Sequence, residues 1–184
     1  MAYQLGDALL VVDMQRDFCE GGALPVHGGA ALMEGINAEA NDAQAAGALI
    51  IATRDWHPVG HCSFSSQGGP WPEHCIQDTL GAEFHPSLQL PEGTIIVSKG
   101  TAFDRDAYSA FEGTGLATYL RKHGIVRVIV CGLALDFCVR ATVQDAIKAE
   151  FQTRLLSRFT APVVTSNCEA CEQELRHTGC EIVA

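Results

Sequence analysis

The chain has 184 residues, of which 47% are hydrophobic, so one core and a single domain over residues 1–184 are expected. Its 22 acidic and 12 basic residues give a net charge of −10 without a basic run, which argues against nucleic acid or an anionic membrane as a partner. The apolar stretches are too short for a membrane span and no signal peptide is recognisable, so a cytoplasmic location is expected. The eight cysteines are expected to be mostly reduced and buried.

Short apolar runs alternate along the chain with longer segments of helical period. The runs that predict buried strands are ALLVVD, ALIIATRD, TIIVSK, VRVIVCG and FQTRLLS. The segments that predict helices are GGAALMEGINAEANDAQAAG, GLATYLRKHG, FCVRATVQDAIKAE and CEACEQELRHTG. This alternation predicts a three-layer α/β/α fold with a central parallel sheet, similar to the Rossmann arrangement. The stretch from 56 to 93 lacks a period and is expected to be a long functional loop.

Ionisable side chains follow four of the predicted strands. Asp13 closes the first, Asp55 the second and Lys99 the third, and Cys138 follows the fourth at the start of a helix. Each residue alone has an ordinary structural explanation as a loop cap, a solvated cation or a buried thiol. Because ligands bind beyond the carboxyl ends of parallel strands, their shared position predicts an active site.

Cys138 is the best candidate for a nucleophile. Apolar residues recur at helical spacing after it, so it lies in the first turn of a buried helix, where free N–H groups and the helix dipole favour a thiolate. The same N–H groups can hold an oxyanion. Asp13 can serve as the base, and Lys99 can organise the charge of the pair.

The loop RDWHPVGHCSF offers a metal site. Asp55 and His57 are two residues apart, so in an extended segment their side chains point the same way. The third ligand is His61 or His74, and the spacing does not choose between them. Two histidines and one carboxylate leave positions open for water and substrate, which suits a catalytic zinc, iron or manganese ion.

The C-terminal segment contains a C-x-x-C motif made by Cys168 and Cys171, with Cys180 further on. A complete ligand set with zinc spacing is missing. Packing on one face of a helix is therefore favoured over a metal or redox role.

The chain resembles the isochorismatase-like cysteine hydrolases and, among them, the nicotinamidases, also called pyrazinamidases. The matching stretches, in chain order, are LLVVDMQRDFCEGGALPV, ATRDWHPVGHCSF, GGPWPEHCIQDTLGAEFHP, IVSKGTAFDRDAYSAFEG and VIVCGLALDFCVRATVQDA. The joint match is far more specific than any one motif. After FQTRLLSRFT the sequence APVVTSNCEACEQE departs from the family pattern, but no predicted site residue lies there.

This resemblance implies hydrolysis of nicotinamide and pyrazinamide to the acid and ammonia through a cysteine thioester, in NAD salvage. It implies a catalytic set of Asp13, Lys99 and Cys138 and one divalent ion, with zinc expected first and iron or manganese as alternatives, on Asp55, His57 and His74. His61 would then be a neighbour of the metal site. An oxyanion hole would use the N–H groups of Ala134 and Cys138, behind a cis Leu133–Ala134 bond. The walls for the substrate ring would come from Phe18 and Trp71, with Phe103 and Tyr108 as further candidates.

Two other interpretations are open. A related hydrolase of the same fold could act on another amide, an N-carbamoyl compound or a ureido substrate, although such relatives generally lack the set of Asp55, His57 and His74. A non-catalytic thiol protein built on Cys168 and Cys171 would leave the residues at the strand ends unexplained. The sequence predicts a small-molecule amide as partner and leaves a homo-oligomer open.

Overall fold

A computed structural model describes residues 2–184. Its sheet has six strands: β1 (Asp7–Val12), β2 (Leu49–Asp55), β3 (Ile95–Lys99), β4 (Arg127–Leu133), β5 (Gln152–Ala161) and β6 (Glu181–Val183). All neighbouring strands are parallel, in the order β3-β2-β1-β4-β5-β6. The five predicted strands are confirmed. The sixth was not predicted because three residues are too few to carry a period.

Four helices cover the sheet: α1 (Met33–Ala45), α2 (Leu116–Lys122), α3 (Arg140–Lys148) and α4 (Cys168–His177). All four lie in the segments that the sequence predicts. The α1 helix packs on one face of the sheet, and α2, α3 and α4 pack on the other. The predicted three-layer α/β/α fold is therefore confirmed. Within residues 2–184, the helices are too short or too polar to cross a membrane.

The central strand β1 is buried on both faces. Leu9 and Val11 belong to the core beneath α1, whereas Leu10 and Val12 belong to the core beneath α2, α3 and α4. Side chains alternate between the two faces of a strand, so a strand covered on both sides needs apolar residues at every position. This requirement explains why the strands appear in the sequence as continuous apolar runs.

The strand order reverses beside β1, which lies between β2 and β4. The carboxyl ends of β3, β2, β1 and β4 therefore follow one another along one edge of the sheet, at the position where open α/β sheets bind ligands. The segment 56–93 is irregular apart from the turns Ser65–Gln67 and Leu80–Ala82. One isolated bridge joins it to the segment after β1, namely Gln15 to Phe84. Two more lie within it, namely His57 to Ile76 and Phe64 to Trp71.

Close contact between β4 and β1 depends on Gly132. A register shift between Val130 and Gly132 interrupts the pairing of β4 with β5, and Gly132 has a φ of 109°. A Cβ atom at Gly132 would lie 2.1 Å from the carbonyl oxygen of Val12. The additional residues lie on β5, which runs from Leu155 to Thr160 while β4 runs from Val130 to Gly132, so the bulge bends β5.

We predict that Gly132→Ala destabilises the protein by more than about 3 kcal/mol, because a side chain there meets the backbone of β1. Gly124→Ala is the matched control, since Gly124 also has a positive φ of 70° but has open space around its Cα. The control should cost about 1–2 kcal/mol. Urea unfolding measures both free energies. Equal losses would show that the close approach at Gly132 is not a constraint.

Candidate active site

The ammonium group of Lys99 lies buried between two carboxylates at the end of β3. Its Nζ is 2.9 Å from Asp13 Oδ2 and 2.5 Å from Asp55 Oδ1. It also donates to the carbonyl of Ala107 at 3.3 Å and lies 3.4 Å from Cys138 Sγ. One cation therefore touches the predicted nucleophile, the predicted base and a predicted metal ligand.

The two oxygens of the Asp13 carboxylate differ in their hydrogen bonding. Its Oδ1 accepts a hydrogen bond of 2.7 Å from the hydroxyl of Thr53, and its backbone has a left-handed φ of 49°. Within the described residues its Oδ2 accepts no well-aligned hydrogen bond, although Lys99 Nζ is near. Asp13 Oδ2 is therefore available to accept a proton from Cys138.

Burial controls the charge states of this group. It raises the pKa of Asp13 despite the opposing effects of Lys99 and Thr53, and it raises the pKa of the Cys138 thiol well above its ordinary value. Lys99 favours a Cys138 thiolate, but Asp13 and Asp55 oppose it. Burial and two carboxylates therefore outweigh the cation and favour the thiol form of Cys138 until a base takes its proton. Cys138 rests as a thiol.

Lys99 itself stays charged in this environment. Burial alone would lower its pKa, but the charges of Asp13 and Asp55 raise that pKa well above its ordinary value. Burial also opposes ionisation of Asp55, yet Lys99 and then His57 outweigh it and leave the Asp55 pKa below its usual range. A protonated Lys99 beside an ionised Asp55 is the stable arrangement.

A single turn of π-helix, Leu135–Val139, carries Cys138 and leads into α3. Ala134 precedes the turn, and its carbonyl accepts hydrogen bonds from the N–H groups of Phe137 and Val139. The Leu133–Ala134 bond is cis, as the resemblance implies. Ala134 and Cys138 both line the same cavity. Backbone N–H groups at such a helix start can stabilise a developing oxyanion.

Asp55, His57 and His74 bring three buried donor atoms within 4.8 Å of one another. The Nδ1 atoms of the two histidines lie 2.9 Å from the carbonyl of Gly100 and 2.7 Å from the carbonyl of Pro72. A carbonyl accepts, so each Nδ1 carries the proton and each Nε2 keeps a free lone pair. Two imidazole nitrogens and one carboxylate form a donor set that fits a divalent ion of the zinc type.

The structure favours His74 over His61 as the third donor beside Asp55. The ring of His61 stacks on that of His57 at 4.1 Å, and its two nitrogens lie near Ser63 Oγ at 2.7 Å and the carbonyl of Arg105 at 3.2 Å. His61 can group with His57 and Asp106, but not with Asp55. It lies next to the metal donors and supports the ring of His57.

Gln15 holds the end of β2 in place. Its side chain accepts a hydrogen bond from the N–H of Asp55 and donates to the carbonyl of the same residue, at 2.7 and 2.8 Å. Gln15 is fully buried. The sequence did not predict a role for Gln15, because an amide side chain after a strand carries no specific signal.

A cavity of about 400 Å³, including its mouth, lies against these groups. Its lining is mostly apolar and consists of Phe18, Leu24, Val26, Asp55, Trp71, His74, Tyr108, Leu133, Ala134, Phe137, Cys138 and Val163. Cys138 and two of the three metal donors, Asp55 and His74, therefore line one apolar chamber.

Three of the four predicted ring-contacting residues lie in this lining. Phe18 is near His74, and Trp71 donates a hydrogen bond of 2.8 Å to the hydroxyl of Tyr108. Phe103 does not line the cavity: the residue is 69% exposed, and its carbonyl accepts a hydrogen bond from the N–H of Cys62. The conformation of its loop directs the ring towards solvent, and this conformation could not be predicted from the sequence.

The cavity also contains residues that the sequence did not predict. Phe137 packs edge-on against Trp71 at 5.0 Å, and Leu24, Val26 and Val163 add apolar surface. An aromatic residue directly before the nucleophile could have pointed to Phe137. The aliphatic residues lie in loops, where an apolar side chain alone is no signal for a site.

The remaining cysteines show no disulfide or metal cluster within residues 2–184. Cys171 and Cys180 are buried in the core beneath α4, and Cys171 Sγ lies 3.4 Å from the carbonyl of Leu135. Cys168 is half-buried. The packing role predicted for the C-x-x-C pair fits this arrangement.

Comparisons with known proteins agree with the fold. A nicotinamidase/pyrazinamidase of Mycobacterium tuberculosis is 41% identical over 96% of this chain and 97% of its own. The crystal structure of the pyrazinamidase of Pyrococcus horikoshii in complex with zinc is 48% identical, with a TM-score of 0.94 over 97% of this chain and 98% of its own. The structure of PnC1 from L. infantum in complex with nicotinate is 40% identical, with a TM-score of 0.93 over 100% and 95%.

The model of the isochorismatase domain matches residues 7–183, a range that runs from the start of β1 to the end of β6 and includes every site residue described above. With the fold, the strand-end residues and these relatives in agreement, the chain belongs to the isochorismatase family.

Proposed function

We propose that this protein hydrolyses nicotinamide, and likewise pyrazinamide, to the acid and ammonia, as part of NAD salvage. The observation that carries the proposal is that Lys99 lies between Asp13 and Cys138, and that Cys138 lines one aromatic-walled cavity together with the metal donors Asp55 and His74. Relatives named nicotinamidase, and the relatives solved with zinc and with nicotinate, support it. A flat ring with an attached amide fits a chamber whose walls are aromatic.

The first half of the reaction forms a thioester. Asp13 Oδ2 takes the proton of Cys138, and Sγ attacks the amide carbon as its π bond shifts to oxygen. The N–H groups of Ala134 and Cys138 hold the resulting oxyanion. Asp13 then gives its proton to the amide nitrogen, the C–N bond breaks and ammonia leaves. Lys99 opposes the burial that raises the pKa of Asp13, and it thereby favours the carboxylate form that accepts the proton.

The second half releases the acid. Asp13 removes a proton from a water molecule, whose oxygen attacks the thioester carbon. The same pair of N–H groups holds the second oxyanion, and the C–S bond breaks. Asp13 returns the proton to Cys138, which restores the resting thiol. One aspartate therefore acts in turn as base and acid, as its buried position beside Cys138 allows.

Asp55, His57 and His74 would hold the divalent ion, with zinc as the proposed metal. When bound, such an ion supplies a Lewis acid at the cavity that can coordinate a ring nitrogen or a water molecule. The residues of the chain do the positioning: the carbonyls of Gly100 and Pro72 fix the two rings, and Gln15 fixes Asp55.

Metal binding can be tested directly. We predict that the wild type binds about one zinc ion per chain, and that His74→Asn binds almost none, because an Asp55–His57 pair alone is a weak site. His61→Asn is the matched control and should retain the ion. Elemental analysis after dialysis gives the stoichiometry, with circular dichroism to verify folding. Loss of zinc from His61→Asn but not from His74→Asn would reverse the assignment.

The chemistry can be tested by following ammonia released from nicotinamide and pyrazinamide. We predict that Cys138→Ala lowers kcat by at least ~10⁴-fold, since the nucleophile is lost. Cys168→Ala, which removes a half-buried thiol on α4, should retain normal turnover. Appreciable activity in Cys138→Ala would contradict the thioester route. A wild type that spares both amides but cleaves an N-carbamoyl or ureido compound would contradict the proposed substrate.

A further inference from the structure

The segment after β5 reaches the active-site cavity. In the sheet, Gly132 pairs with Thr160 and Leu133 pairs with Ala161, so β4 and β5 end side by side. Beyond this point β4 continues into Ala134 and Cys138, whereas β5 continues into Val163, which lines the cavity. Val163 therefore borders the cavity beside the end of β4, the strand that leads to Cys138.

A single carboxylate fixes this segment. Asp136 Oδ1 accepts a hydrogen bond of 2.8 Å from the N–H of Val163, and its Oδ2 accepts from the N–H of Val164 at 3.1 Å and from Asn167 Nδ2 at 3.2 Å. Asp136 is buried, and it belongs to the same π-helical turn as Cys138. The position of Val163 is thereby tied to the turn that carries Cys138.

Val163 and its neighbour Val164 differ in a useful way. Val163 is 36% exposed and lines the cavity, as expected of a residue at a cavity mouth. Val164 is 47% exposed and is not part of the lining. The two residues have the same side chain on one segment and the same hydrogen-bond acceptor, so they form a natural pair for an experiment.

We propose that Val163, held in place by Asp136, is a specificity-determining residue that limits the size of the ring admitted beside Cys138. The inference rests on the proposed amide hydrolysis and deepens it. A side chain on a loop can exclude a ring substituent only if the backbone of that loop is fixed, because a mobile loop moves aside. The three hydrogen bonds to Asp136 provide this fixation.

The test compares nicotinamide with its ring-methylated isomers. Val163→Ala removes two methyl groups from the cavity wall. For at least one methylated isomer, the ratio of its kcat/KM to that of nicotinamide should rise by about 10-fold or more, since one methyl group in an apolar pocket has an effect of this scale. Val164→Ala should leave every ratio within about twofold of the wild type. A Val163→Ala variant whose ratios match those of Val164→Ala would overturn the inference.

The role of Asp136 as a positioning residue has its own readout. An asparagine has one acceptor oxygen and cannot serve three donors, so Asp136→Asn should loosen the wall and raise the same ratio as Val163→Ala, with a larger change in KM than in kcat for nicotinamide. A uniform loss of kcat for all amides with unchanged ratios would overturn the positioning role. A wild type that hydrolyses no nicotinamide would instead overturn the proposed function, and the inference with it.

Discussion

The buried ammonium group of Lys99 is the interaction on which the whole site depends. Two carboxylates, Asp13 and Asp55, lie in the interior almost without access to water, and neither could stay ionised there without a nearby cation. Lys99 serves both and also reaches Cys138. Removing one partner from a buried ionic group of this kind costs about 3–5 kcal/mol, so the three residues act as one unit.

Parallel topology is what brings this unit together. The order β3-β2-β1-β4 places Lys99, Asp55, Asp13 and then the turn bearing Cys138 along one edge of the sheet. Each residue comes from the end of a different strand, and the central strand β1 is buried on both faces. Local devices refine the positions, namely the close approach at Gly132 and the hydrogen bonds of Gln15 to Asp55. The fold supplies the convergence, and these contacts supply the alignment.

The sequence predicted the features that depend on hydrophobic periodicity and on the residues at the strand ends. Apolar runs located the strands, and the ionisable residues that close or follow four of them located the site. Three features escaped it for physical reasons. The charge state of Cys138 depends on distances to Asp13 and Asp55 that no spacing reveals. Phe103 points to solvent because of a loop conformation. Val163 reaches the cavity only because β5 runs four residues beyond its predicted end, up to Ala161.

Lys99→Met, which keeps the bulk of the side chain and removes its charge, provides the most direct test of the role of Lys99. The measurement is kcat/KM for nicotinamide at matched zinc content, with circular dichroism to verify that the variant is folded. Without the cation Asp13 is protonated in its buried position and cannot act as base, so kcat/KM should fall by at least ~10²-fold. A folded, zinc-loaded Lys99→Met variant with kcat/KM within about threefold of the wild type would contradict this account.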